Sequence, residues 1–352
     1  MHARRLLVSI LLVAGCGGGP AGSSASVPGG PTGSSPSAAA TGASSFVATA
    51  PPTPAPTIQL PDLIDLSTSA ALKIEAKPSP DFAIIAGGFL YVSGVEKGIG
   101  KFDGKTGRLL TSFSIPFESC EGMDAGFGAA WSATCVSPPG LVRIDTATDL
   151  VTPIELGSSI PDSEASVGVG EGGVWIVIQG SPPKLVKVNP ATNKVAAQFD
   201  IPGSPKAVRA GLGAIWVSEP AANQILRVDP ASGQVVATIK VGIQPQFIAV
   251  GAGALWTMDQ RSGTVSRVDP ATNTVAAIIE LGETVQGGDI AVGGGYVWLR
   301  GSRTLLFKID PGTNEIIARY GPSSGSGSMA ADDSAVWISA HDVTTIWRLP
   351  LP

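Results

Sequence analysis

The chain is predicted to be all-β, built from seven copies of one four-stranded unit of about forty residues. Three observations carry that prediction. The stretch ILRVDPASGQVVATIKVG at 225–242 recurs as VSRVDPATNTVAAIIELG at 265–282. An aromatic residue behind a run of small residues returns at Tyr91, Trp131, Trp175, Trp216, Trp256, Trp298 and Trp337. A turn marker follows most of these aromatics, as KFDGKTG at 101, RIDTATD at 143, KVNPATN at 187, RVDPASG at 227, RVDPATN at 267 and KIDPGTN at 308.

The unit at 244–282 shows what each element is made of. QPQFIAVG reads as a first strand, Ala252-Gly253 as a tight hairpin turn, and ALWTM as a second strand. TVSRV is the third strand and TVAAIIEL the fourth, all rich in Val, Ile, Thr and Trp and without helical periodicity. In the turn between the last two, Asp269 is placed to accept backbone N–H groups two and three residues on. Pro270 presets φ, and Asn273 tolerates the left-handed residue that closes the hairpin.

A meander of this size cannot bury both faces alone. Seven of them stacked about an axis cover one another and leave no long edge, which is a seven-bladed β-propeller. The last unit ends after TTIWRLPLP and lacks a fourth strand. SAALKIEAKPSP at 69–80 aligns with GQVVATIKVGIQP at 233–245 and is expected to supply that strand from the N-terminal side. The Trp series is expected to pack between adjacent blades. The basic residue before each turn (Lys101, Arg143, Lys187, Arg227, Arg267, Lys308, Arg348) is expected to serve the scaffold, through its turn or the neighbouring blade.

Ahead of the propeller, assigned to 58–352, the chain reads differently. MHARRLLVSILLVAGCGGG has two arginines, a short apolar run and small residues, the pattern of a secretory signal over 1–15. VAGC at 13–16 resembles the bacterial lipobox. That resemblance implies cleavage before Cys16, a lipid on its sulfur and a membrane contact through that lipid. Residues 16–57, rich in Gly, Ser, Pro and Ala, read as a disordered tether. The expected location is therefore the cell envelope, outside the cytoplasm. Loss of Arg4 and Arg5 with the signal takes 23 basic residues to 21 against 28 acidic ones, a net −7. With no basic cluster, nucleic acid is not an expected partner. A monomer is expected.

YVSG at 91–94, WVSE at 216–219 and the recurrent DPATN resemble the YVTN/YncE-like seven-bladed propellers. The GxGAIW units are also similar to virginiamycin B lyase-like propellers. The resemblance covers about 69–350 and implies the architecture. Similarity to the lyases would further imply histidines and glutamates gathered with magnesium at the channel mouth, acting on a cyclic peptide lactone. This sequence has one histidine beyond the signal, so no catalytic set carries over.

Functional residues are sought where the units differ. First-strand starts and second-strand ends meet at one mouth of the channel. The expected rim there comprises Gln179, Glu219, Asp259, Gln260, Arg300, His341 and Asp342. First-strand starts add Glu164, Lys206, Gln246, Gln286 and Asp289. The favoured reading is a non-catalytic module binding a protein, peptide or cell-wall glycan, without a cofactor. The alternative is a lyase using His341 with Glu219 or Asp259, and magnesium only in that case. His341 and Asp342, as strand neighbours, are expected to point to opposite faces. Cys120 and Cys135 are expected to face each other across one hairpin as a disulfide in an oxidising compartment.

Overall fold

The computed structural model describes residues 58–352 apart from 97, 116–118, 136–138, 158–159 and 163. The signal, Cys16 and the tether all lie outside the described residues. Of Ser119, Cys120 and Glu121 only the backbone is described.

Seven antiparallel meanders form the ring, numbered as blades 1 to 7 in chain order: 83–114, 119–155, 167–200, 208–240, 245–280, 289–321 and 329–350. Blade 5 runs Pro245–Gly251, Ala254–Asp259, Thr264–Asp269 and Thr274–Glu280 from axis to perimeter. Gly251 pairs with Ala254, so two residues make the turn. Ala252 and Gly253 have φ of +49° and +71°. Both central residues are left-handed, the turn whose twist matches that of the strands. The second strand is buried at every position because neighbouring blades cover both its faces. The perimeter strand alternates between exposed positions and half-buried or, at Ile279, buried ones. The fold class read from the repeat is the one observed.

Six tryptophans and Tyr91 are almost wholly inaccessible to solvent. Each Trp plugs the gap to the following blade. Trp175, for instance, packs with Val208, Ile215 and Leu226 of blade 4. Trp256 Nε1 donates to the Gly251 carbonyl at 3.0 Å, and Trp131, Trp175, Trp216 and Trp298 make the same bond to the glycine five residues earlier. Burying an indole requires a partner for its N–H, and the repeated glycine provides it. The recurrent serines have a structural role too. Ser93, Ser218 and Ser339 accept the first-strand N–H groups of Phe82, Ala207 and Ser328.

The seven basic residues form a ring of clamps. Each cation lies within 6 Å of the aromatic centroid of its own blade, from 4.7 Å for Lys187 over Trp175 to 5.8 Å for Lys101 over Tyr91. Several then reach into the next blade's turn. Arg227 donates to the Pro270 carbonyl and Asn273 Oδ1, both at 2.7 Å. Arg267 repeats this with Pro311 and Asn314 at 2.8 and 3.0 Å. In five blades the outer strand pair shifts register directly after the basic residue. Such a bulge increases local twist. The turns follow the expected chemistry, with Asp229 Oδ1 accepting Ala231 N and Ser232 N.

The ring closes as the sequence implies. Leu72–Glu75 pairs antiparallel with Thr345–Pro350, completing blade 7 from the N-terminal side. Arg348 Nε then donates 2.9 Å to the Gly104 carbonyl of blade 1. One feature was not anticipated. Leu63–Asp65 adds a fifth, parallel strand outside Glu315–Gly321 of blade 6, and Arg319 Nε donates to the Pro61 carbonyl at 2.8 Å.

Candidate functional site at the channel mouth

In a meander the first-to-second and third-to-fourth turns share one face of the ring, and the remaining connections share the other. The first face carries the clamps. The second is the channel mouth, where the units diverge.

Four of the expected rim residues, Asp259, Arg300, Glu219 and Gln260, are buried, and the first three are interior groups. Asp259 is fully buried, and its carboxylate accepts the hydroxyls of Thr257, Ser266 and Thr264 at 2.6, 2.6 and 3.1 Å. Burial raises its pKa despite these bonds. Arg300 is equally inaccessible and donates to the carbonyls of Ser339, Gly301, Ser324 and Gly325. Burial lowers its pKa to about 10. Glu219 accepts Ser204 N at 3.1 Å and the Gln224 amide. Each of the three pins a loop of its own neighbourhood.

The others reach the mouth. Gln179 Nε2 donates at 3.2 Å to Asp162 Oδ2, which also accepts Lys206 Nζ at 2.9 Å. Gln246 Nε2 reaches Glu164 at 2.9 Å, joining the approach to blade 3 with blade 5. Gln260 lies under Gln244, whose Nε2 is 3.5 Å from Gln260 Oε1. His341 and Asp342 are not strand neighbours pointing apart, as expected, because His341–Val343 is a turn of 3-10 helix. Their Nδ1 and Oδ1 atoms are 2.8 Å apart. Asp342 also accepts Ser326 N at 2.9 Å. No bond joins His341 to Glu219 or Asp259 among the described residues.

Two open recesses lie between these groups. One, of about 440 Å³, sits between blades 4 and 5 with Ser204, Lys206, Asn223, Gln244 and Arg261 among its walls. The next, of about 490 Å³, shares Gln244 and Arg261 and runs on to Thr284 and Gln286 of the approach to blade 6.

Below the mouth, the channel holds charges of which the sequence reading had named only Asp289. A cavity of about 280 Å³ on the axis is lined by Asp124, Arg209 and Asp289 amid apolar first-strand residues. Asp124 accepts its neighbour's N–H and Val169 N of blade 3, at 2.8 and 2.7 Å. Asp289 accepts Ile290 N at 2.8 Å and the Ser328 hydroxyl of blade 7 at 2.6 Å. Burial raises both pKa values, and the charge of Arg209 opposes the rise. Arg209 itself donates to the Val167 and Val208 carbonyls, each at 2.9 Å. A signal existed for Asp124 and Arg209: where they stand, the other blades carry Ile84, Gly168, Ala249, Ala291 and Ala330.

The fold matches a solved structure, virginiamycin B lyase from Staphylococcus aureus, with a TM-score of 0.66 and 16% identity over 80% of this chain and 99% of that one. The likeness shows the fold alone. No family model matches the chain, and no curated protein does.

Magnesium is implied only by the lyase resemblance, and the donor set does not suit it. Among the described residues no three His, Cys, Asp or Glu side chains gather as a metal site. Glu219 and Asp259 already spend their oxygens on protein donors. What the two recesses offer is binding chemistry: side-chain amides, hydroxyls and the exposed guanidinium of Arg261.

Proposed function

We infer that the propeller is a non-catalytic binding module of the cell envelope, held to a membrane through lipidated Cys16 and the 16–57 tether. Its ligand-binding surface is the channel mouth over blades 4 to 6. The observation that supports this reading most is the state of the polar groups there. Glu219 and Asp259, the carboxylates considered there as general acid or base, are engaged by the protein's own donors, while the amide-lined recesses stay open. Acid–base catalysis needs a proton-transfer group within reach of a bound substrate. Recognition needs only a shaped surface with a few placed polar groups.

A Cys120–Cys135 disulfide belongs to the same proposal. Backbone pairing of Ser119 with Thr134 brings the two cysteine positions to the same end of one hairpin, which supports the bridge, and the side chain of Cys120 lies outside the described residues.

The test is capture of a partner from a solubilised envelope extract by immobilised 58–352, a ring that closes on itself and buries its own core. The double variant Ala221→Trp, Gln286→Trp fills both recesses from exposed positions and is expected to abolish capture. Ala231→Trp, on the opposite face, is expected to leave it unchanged. Equal loss from both variants, or from neither, contradicts the reading.

Two observations favour a second reading, a lyase. His341 and Asp342 make an oriented pair, and the matched fold is that of a lyase. Opening of the virginiamycin B ring by wild-type protein, lost in His341→Ala, would establish it.

A further inference from the structure

We propose that the trough formed by the two recesses takes an extended peptide bearing a carboxylate, and that Arg261 is the group that pairs with it. This rests on the binding reading above and names the ligand class.

The charge distribution comes first. Around the trough Asp162 is ion-paired with Lys206, while Glu219 accepts hydrogen bonds from Ser204 N and the Gln224 amide, and Glu283 from Thr304 N at 2.9 Å. Arg261 is exposed, and its guanidinium makes no hydrogen bond or ion pair among the described residues. The charged side chains lining the two recesses are Lys206, which is paired with Asp162, and Arg261, so the unengaged charge on the trough wall is positive. A guanidinium presents a planar fork that matches a carboxylate in a bidentate pair.

The amides come second. Asn223, Gln244, Gln246, Gln260 and Gln286 line the two recesses; protein bonds already use Asn223 Oδ1, Gln246 Nε2 and the Gln244 Nε2–Gln260 Oε1 contact, and the remaining amide atoms, with Gln286 whole, supply both donors and acceptors. That pairing suits the alternating N–H and C=O groups of an extended main chain. A glycan fits less well, because neither recess has an aromatic wall on which the C–H face of a sugar ring could rest.

The backbone comes third. Gln244 stands on the wall common to both recesses with φ of +61°. A left-handed non-glycine residue costs about 1 kcal/mol and persists only when held. It is held from both sides. Gln244 N donates to Asn223 Oδ1, and Gln260 N donates to the Gln244 carbonyl, each at 3.0 Å. The hold fixes the Gln244 backbone on the wall that it shares with Arg261.

The test uses fluorescence anisotropy with a labelled, C-terminally amidated peptide, (Gly-Ala-Glu)3-Gly, its Glu→Gln counterpart, and polygalacturonate. The Glu peptide is expected to bind saturably and at least about tenfold more tightly than the Gln peptide, the scale of a charge-assisted pair. Arg261→Gln should remove that difference and Arg261→Lys keep part of it, with urea midpoints unchanged. Equal affinity for the two peptides, unaltered binding by Arg261→Gln, absence of Glu-peptide binding, or binding of polygalacturonate in its place overturns the proposal. If the peptide fails while the recess-filling variant still abolishes partner capture, the ligand class is wrong and the binding reading stands. If capture is also indifferent to those substitutions, both fall.

Discussion

The two faces of this ring use the same residue types for opposite purposes, as Arg227 and Arg261 show. Arg227, on the clamped face, lies 5.3 Å from the Trp216 ring and spends Nη1 on the Pro270 carbonyl and Asn273 Oδ1. Arg261, at the mouth, spends its guanidinium on nothing within the described chain. Repetition accompanies the first arrangement and its absence the second. A feature copied from blade to blade serves what all blades share, namely the fit to the next blade. A feature found once is free to serve a ligand.

Several experiments break or sharpen this contrast. The largest effect is expected from Trp216→Ala, which leaves a cavity between blades 4 and 5 and a glycine carbonyl without its indole donor. It should cost about 3–5 kcal/mol in urea unfolding. A loss below about 1 kcal/mol would show that the repeated aromatics are not the scaffold. Asp259→Ala should come next, at about 2–3 kcal/mol, because it strands buried hydroxyls. An Asp259→Ala protein of native stability would return Asp259 to the candidate ligand contacts.

Acid titration separates the faces by sign. Hydrogen bonds from Thr148 and then Arg143 hold the pKa of Asp145, in a clamped-face turn, down to about 2. A depressed folded-state value contributes stability above the unfolded pKa of about 3.9 and loses it as pH falls toward 2. Asp124 and Asp289 in the channel are shifted upward by burial. Their contribution is complete below about 3.9 and declines as pH rises through the raised folded value. Urea midpoints against pH should therefore lose part of their acid limb in Asp145→Asn. In Asp289→Asn the decline on raising pH should flatten. The reverse pattern would contradict the assignment. A smaller gain is expected at the hairpin turns: Ala252→Gly relieves a left-handed alanine and should stabilise by less than about 1 kcal/mol. No gain would mean that the turn is unstrained.

What was legible in the sequence was what is local. The Asp-Pro turn and the two-residue hairpin are each set within about six residues, so they can be read from a window. The Trp-to-glycine bond is equally local and left its mark as GxGAxW. Ring closure was legible because Leu72–Glu75 keeps the pattern of a fourth strand. By contrast Leu63–Asp65 is three residues without a pattern, held by an edge and by Arg319, and nothing in those residues announces a parallel strand. Asp124, Arg209 and Asp289 come from blades 2, 4 and 6 and meet only because the ring brings them to one axis. The rim was misjudged wherever position was read without depth. Asp259 and Arg300 stand at the right height but inside the wall. His341 and Asp342 were expected to diverge because a strand was assumed where the chain makes a 3-10 turn.

The division of labour is tested most directly by measuring Arg227→Ala and Arg261→Ala side by side, for urea stability and for affinity toward the Glu peptide. Arg227→Ala should lose about 1.5–3 kcal/mol of stability and keep its affinity, while Arg261→Ala should stay within about 0.5 kcal/mol of wild type and lose binding. Matching stability losses in the two variants, or a binding loss confined to Arg227→Ala, would contradict the account.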